Sequence, residues 1–447
     1  MKKENIFYPK ILFTTGLPNV FRGLHIANLY EIAQVYPVVL LADENIDRET
    51  KEVLNKKELF PKLEEIIFYQ DILSLSPKSN YRNYKLAKKV IEQYRPDIII
   101  ASDMCLFHLY LSRFARKIRP ILHIALQGGL STKTKDMRLR SCLMSAHLKT
   151  PSFLPLSIRL FLTKCKRYIA DFFYYWILPL TVGQLPFLGK SSFISIKGAP
   201  GLRSCDYFLL RSKRDCDFVI QEDEVSPEKL YIVAHPLLRK ETREFLRKNF
   251  FENSVKQHKN SQKTVTILYS GEEVEFKRND YSLISKKEIR EMRLEVIRLV
   301  AQILKDWQII IKPHPLTENI NKIKDAIEAI APNIRVAEQS DPIDRYIEIS
   351  DIIIGPTPSS TVLYTATIQR PEKIILSLDL YQEFHGDIYK DAEGIEYIDE
   401  KEKFIDVLRE IRDGKFRKKR QEMKSELEPN KFPNLVEAIK YFLVQKT

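Results

Sequence analysis

The chain has 447 residues, a length that suits two or three domains. Hydrophobic residues make up 44% and charged residues 29%, a globular balance that excludes a disordered or fibrous chain. The formal net charge of +13 calls for an anionic partner, and without zinc-finger spacing or an RNP-type strand that partner is expected to be a membrane surface, not nucleic acid.

The first elements alternate strand and helix. Ile11 to Thr15 reads as a strand that turns at Gly16, Phe21 to Gln34 as a helix, and Val38 to Ala42 as a second strand. This succession opens a Rossmann-like domain, and the lack of a GxGxxG argues against a dinucleotide. Gly16 either shapes the turn or lets an acceptor approach the backbone. Tyr84 to Tyr94 reads as a helix and Ile98 to Ala101 as a buried strand running into Ser102-Asp103. Ile121 to Leu126 is the next strand and ends in Gln127-Gly128-Gly129, again a turn at the ligand edge of a parallel sheet. For a substrate hydroxyl that must lose its proton as it attacks, Asp103 is the leading general-base candidate, His25 is its rival, and a capping role for Asp103 is the alternative.

Residues 152–198 change character. Arg159, Lys164, Lys166 and Arg167 precede the aromatic run Phe172, Phe173, Tyr174, Tyr175 and Trp176. Pro179, Gly183 and Pro186 interrupt the apolar stretch, so a helix lying in a membrane interface is expected in place of a span; an ordinary core helix is the alternative. Asp206 to Leu210 resumes the sheet, and Val225 to Pro236 holds a further strand.

The second half begins with a strand at Thr264 to Ser270, whose turn carries Glu272 and Glu273 as ribose, acceptor or proton-handling candidates, or as solvated turn charges. A long amphipathic helix from Ser285 to Asp306 follows. Trp307 to Lys312 is a buried strand ending in Pro313-His314-Pro315, and a helix runs from Thr317 to Ile330. Asp351 to Gly355 is another strand. It ends in Pro356-Thr357-Pro358-Ser359-Ser360-Thr361, and an apolar helix continues to Gln369. Ser359, Ser360 and Thr361 stand at a helix start, where free N–H groups and the dipole favour an anion, although such residues also serve as plain N-caps. One turn with Lys312 and His314 and another with three hydroxyls suit a phosphate or diphosphate. Glu372 to Ser377 is a strand, and Glu400 to Arg412 and Asn434 to Val444 are helices.

Lys312-Pro313-His314-Pro315, Ser350 to Ile354 and Ser359-Ser360 resemble the C-terminal halves of GT-B glycosyltransferases that use CMP- or CDP-activated donors. These are sialyl- and Kdo-transferases, polysialyltransferase-like capsule enzymes and CDP-glycerol glycerophosphotransferases. The resemblance implies that His314, Ser359, Ser360 and Thr361 hold the donor phosphates. Tyr364 stands where many relatives carry an acidic residue for the ribose.

The expected architecture is α/β: two Rossmann-like domains facing across a cleft, with a membrane-interface helical insertion in the first. Residues 1–240 form the acceptor domain, 241–262 a linker, 263–413 the nucleotide-donor domain, and 414–447 helices crossing back to the first domain. The expected function is sugar transfer from a CMP- or CDP-type donor, or a UDP donor, to a membrane-associated glycan or lipid in surface-polysaccharide assembly. No metal and no cofactor beyond the nucleotide-sugar substrate are expected. A UDP-sugar epimerase of the same build and a non-catalytic assembly protein are the alternatives. The five cysteines, Cys105, Cys142, Cys165, Cys205 and Cys216, show no CxxC spacing, so reduced thiols are expected. No apolar leader follows Met1, so the expected place is the cytoplasm, at the inner face of the membrane.

Overall fold

The computed structural model describes residues 8–15, 25–69, 76–101, 106–126, 172–185, 205–211, 225–234, 239–251, 262–269, 286–314, 320–339, 343–356, 361–380, 394–417 and 431–446, with isolated residues between some of these stretches. In chain order, β1 (Ile11–Thr14), α1 (Ile26–Ala33), β2 (Val38–Asp43), α2 (Arg48–Leu54) and β3 (Leu63–Tyr69) come first. Then follow α3 (Pro77–Tyr94), β4 (Ile98–Ala101), α4 (Leu106–Ile118), β5 (Leu122–Leu126), β6 (Tyr207–Leu210), β7 (Leu230–Val233) and α5 (Lys240–Leu246). The next stretch holds β8 (Thr264–Tyr269), α6 (Lys286–Ile303), β9 (Gln308–Pro313), α7 (Ile320–Glu328), β10 (Ile334–Val336), α8 (Ile343–Ile349) and β11 (Ile352–Gly355). The chain ends with α9 (Thr361–Gln369), β12 (Ile374–Leu378), β13 (Glu396–Ile398), α10 (Lys401–Arg412), β14 (Lys431–Phe432) and α11 (Leu435–Lys446).

Two compact units result. The first comprises Met1–Leu130, Phe161–Thr242 and Glu426–Thr447, and the second comprises Ser131–Leu160 and Arg243–Ser425. The first unit carries an eight-stranded sheet in the order β14-β7-β6-β5-β4-β1-β2-β3, and the second a six-stranded sheet in the order β10-β9-β8-β11-β12-β13. Among the described residues all the pairings are parallel. Both orders run outward from the first strand, return, and continue on its other side, which is the Rossmann arrangement. The reversal lies between β1 and β4 in the first sheet and between β8 and β11 in the second.

Continuous apolar runs make these central strands. Ile98 to Ile100 and Ile352 to Ile354 are wholly buried, as strands covered on both faces must be. Each such side chain contributes about 1.5–3 kcal/mol on burial. An aspartate placed just before a strand pins the register at three points. Asp97 accepts the Lys10 N–H, Asp206 the His123 N–H and Asp351 the Thr264 N–H, each at 2.8 Å.

The C-terminal segment completes the first unit. Phe442 of α11 is fully buried, stacks on Tyr207 at a 4.0 Å centroid distance, and meets Tyr231 and Phe432 edge-on. Glu31 of α1, also buried, accepts the Leu435 N–H at 3.3 Å and pairs with Arg239. Burial raises the Glu31 carboxyl pKa, and Arg239 opposes that shift.

Four edge strands and one helix start are among the differences from the reading of the sequence. β3, β10, β13 and β14 are additional strands, and α3 begins seven residues before Tyr84 because Ser76 caps the Ser79 N–H and Pro77 occupies the first turn. The stretch read as a linker is helical from Lys240 through Phe251. Among the described residues no helix is long and apolar enough to cross a membrane.

Candidate functional site

Ligands of such sheets bind outside the carboxyl ends of the strands, at the point where the strand order reverses. In the second unit that point is flanked by the ends of β8, β9 and β11. His314 follows β9 directly and is half-buried. Its backbone is fixed from both sides: its N–H donates to the Tyr269 carbonyl at 2.6 Å, and its carbonyl accepts from Gln339 Nε2 at 3.1 Å. Tyr269 ends β8, so the backbone of His314 is anchored to the strand next to the reversal.

Lys312 sits beneath this turn. Its Nζ donates to the carbonyls of Gln339 at 2.9 Å, Pro313 at 3.1 Å and Glu338 at 3.2 Å. The side chain is buried, and burial lowers its pKa while Asp341 opposes the shift. The ammonium therefore ties the turn after β10 to the end of β9. That turn supplies the Gln339 amide that holds His314. Lys312 supports the histidine through Gln339, and its three acceptors are all backbone carbonyls.

α9 begins at Thr361, directly after the Ser359-Ser360 pair, and runs from the end of β11. Gly355 explains how close it lies. A Cβ at Gly355 would stand 2.8 Å from Leu363 Cδ1, so glycine lets the Leu363 side chain of α9 pack onto the end of β11 without shifting. Ser359, Ser360, the Thr361 side chain, Glu272 and Glu273 lie outside the described residues.

In the first unit the reversal lies between the ends of β1 and β4. His25 stands at the N-cap position of α1 without a side-chain capping hydrogen bond. It is fully buried, and burial together with Arg211 lowers its pKa to about 3, so the ring is neutral at pH 7 and closed to solvent. A base with so low a pKa takes a proton poorly near neutrality. Asp103 follows β4 by two residues in the sequence, and with Gly16, Gln127, Gly128 and Gly129 it lies outside the described residues. At the end of β1, Thr14 Oγ1 and His108 Nε2 are hydrogen-bonded at 2.9 Å, and burial lowers the His108 pKa to about 3.

Of the interface candidates, Phe172 and Phe173 are exposed, and Trp176 is half-buried and stacks on Phe172 at 5.5 Å. Arg159, Lys164, Lys166, Arg167 and the side chains of Tyr174 and Tyr175 lie outside the described residues. Among the described residues no group of three or more His, Cys, Asp or Glu side chains could hold a metal ion.

Sequence reasoning passed over Tyr269, Gln339 and Gly355, and also Asp379, a buried carboxylate one residue past β12 that accepts from Tyr397 OH at 2.7 Å. The strand-end glycine at 355 and the carboxylate at 379 were visible signals. The Gln339 contact joins residues 25 positions apart and has no local signature.

No protein-family model and no curated protein matches the chain. Its fold is similar to that of the UDP-GlcNAc 2-epimerase from Methanocaldococcus jannaschii, with a TM-score of 0.55 and 13% identity over 98% of this chain and 99% of that one. It is likewise similar to a protein assigned as a UDP-N-acetylglucosamine 2-epimerase from Listeria monocytogenes, with a TM-score of 0.50 and 12% identity over 91% and 88% of the two chains. A glycosyltransferase from Rickettsia africae matches at a TM-score of 0.45 and 10% identity, over 91% and 92%. The chain thus has the GT-B-like fold of two Rossmann-type α/β units.

Proposed function

We propose that the protein is a glycosyltransferase that takes a sugar from a nucleotide-activated donor, with CMP- or CDP-type donors favoured and UDP donors next, and passes it to a membrane-associated glycan or lipid in surface-polysaccharide synthesis. The observation that carries this reading is His314, fixed by backbone hydrogen bonds at the end of β9, two strands from a helix that starts directly after Ser359-Ser360. The imidazole and the N–H groups at that helix start would neutralise the leaving phosphate, without a metal. Asp103, on the connection from β4, would take the proton of the acceptor hydroxyl.

The likeness in fold to UDP-GlcNAc 2-epimerases over nearly the whole of both chains favours a second reading, a UDP-sugar epimerase. The phosphate chemistry of the second unit serves either reaction. A panel of CMP, CDP, UDP and GDP in thermal melts tests the shared part. A nucleotide at about 100 times its dissociation constant stabilises by about 2.7 kcal/mol. No shift with any of the four sinks both readings. Incubation with the nucleotide-sugar of the best binder then separates them: an epimerase changes the sugar with no acceptor present, and a transferase releases the nucleotide only when an acceptor is added.

A further inference from the structure

Glu31 of α1 is a buried carboxylate outside the proposed donor site, and its two oxygens serve two different stretches of chain. Oε1 accepts from the Arg239 guanidinium and from Thr242 Oγ1 at 3.4 Å, while Oε2 accepts the Leu435 N–H at 3.3 Å. Arg239 and Thr242 belong to the chain as it leaves the first unit, whose boundary falls between Thr242 and Arg243. Leu435 opens α11, after the chain has come back to the first unit at Glu426. Burial raises the Glu31 pKa, and Arg239, the Leu435 N–H and Arg211 each oppose that shift. Arg211, buried just past β6, also donates to the Ala234 carbonyl at 3.3 Å, and the Ala234 N–H donates to the Phe432 carbonyl at 2.9 Å. The exit from β7 is thus held by its neighbours on the way to Arg239.

The chain that leaves Glu31 is helical without a break. α5 runs from Lys240 to Leu246 and continues as a π-helical stretch from Arg247 to Phe251. The boundary between the units therefore lies inside a helix, not in a loop. Beyond it, Phe245, Leu246 and Phe250 are buried, and the Arg247–Phe251 stretch packs against α9. α9 is the helix that starts directly after Ser359-Ser360. A helix passes a displacement along its axis where a loop absorbs it, because each turn is hydrogen-bonded to the next. We propose that Glu31 is a positioning residue for the donor site: it fixes the first-unit end of the helix from Lys240 to Phe251, and that helix sets how α9 presents its first turn to the donor phosphates. A carboxylate that only anchored α11 would need the Leu435 N–H alone; the guanidinium and the hydroxyl on its other oxygen tie the same charge to the helix that crosses the boundary. The proposal rests on the nucleotide-donor reading above for its ligand, and on these contacts for its path.

Hydrogen exchange of the full chain, together with titration of CMP, CDP, UDP and GDP, tests the path. Glu31→Gln keeps the size of the side chain and removes the charge that pairs with Arg239. It should lose protection at Leu435 to Ile439, along Lys240 to Phe251 and, with no nucleotide present, in α9. It should also bind the best of the four nucleotides about 2- to 30-fold more weakly. Arg247→Gly leaves the Glu31 contacts in place and softens the helix at an exposed position beyond them. It should keep the protection of Leu435 to Ile439, lose that of α9, and weaken the nucleotide by a similar factor. Melting curves of the free proteins check that the variants fold, and if Glu31→Gln does not, Arg247→Gly decides alone. Folded variants that keep both α9 protection and nucleotide affinity overturn the proposal, even where Glu31→Gln melts earlier, and leave Glu31 a structural anchor. Loss of α9 protection in Glu31→Gln with none in Arg247→Gly overturns it too, since the path then does not run along the helix. Wild-type protein that binds none of the four nucleotides takes down the donor reading and this proposal with it, a result distinct from normal binding by both variants.

Discussion

Replacing His314 with alanine removes the imidazole and leaves its frame. The N–H bond to Tyr269 and the carbonyl bond from Gln339 are both made by the backbone of residue 314, so alanine keeps them. The ring is half-buried, so its removal creates no core cavity. If the imidazole contacts a donor phosphate, the loss is one charge-assisted hydrogen bond, about 1.5–3 kcal/mol. That corresponds to about a 10- to 150-fold rise in the nucleotide dissociation constant. Isothermal titration of the best-binding nucleotide into wild type and His314→Ala reads this directly, with the melting temperature of the free proteins as the control for folding. A folded His314→Ala protein that binds the nucleotide as tightly as wild type refutes the phosphate role of the turn after β9.

Ser359→Ala with Ser360→Ala should weaken nucleotide binding about tenfold or more through lost phosphate contacts. If the hydroxyls only cap α9, titration will show unchanged affinity, with a melting loss from about 0.5–2 kcal/mol. Gly355→Ala drives a methyl group into Leu363, which overpacking makes about 1–3 kcal/mol unfavourable, and in thermal melts Leu363→Ala should rescue part of that loss. His25, His108 and His123 are buried, with pKa values lowered by burial to about 3, about 3 and about 4. The unfolded chain takes up protons first, so their stabilisation is complete above pH 6.5 and falls as the pH drops, by about 1.4 kcal/mol per histidine per pH unit. Glu31, whose pKa is raised, acts in the opposite direction, and urea melts between pH 7.5 and 5 should still show a net loss in the wild type that His108→Asn lessens.

The elements legible in the sequence are those whose residues carry their own instructions. Ile352 to Gly355 and the helix ending at Gln369 were readable because a central parallel strand is apolar on both faces and the following turn is crowded with Pro and Ser. β3 was not, because it is an edge strand whose Glu64 and Glu65 face solvent, and its alternation is broken. β10, β13 and β14 have three, three and two residues, too few for a period to show, and β10, β13 and β14 are all edges held by one neighbour. The position of His314 at a strand end followed from local pattern. The commitment of Lys312 did not, since its acceptors at 338 and 339 arrive only when β10 pairs with β9.

The same Lys312 shows how the described side chains at these sheet edges divide their work. Thr14 is committed to His108, Asp43 accepts from both the backbone and the side-chain amide of Asn45 at 2.8 Å, and Asp379 is committed to Tyr397. These groups shape the strand ends, and the chemistry of the proposed reaction falls to the connections that leave them. Lys312 belongs with the shaping groups by contact and with the site by charge. Three carbonyl acceptors favour its ammonium form against the burial that lowers its pKa. A positive charge held under the His314 turn in a poorly screened interior acts on an anion outside that turn without touching it. On the proposed reading, β9 therefore serves the phosphate twice, by position through His314 and by field through Lys312.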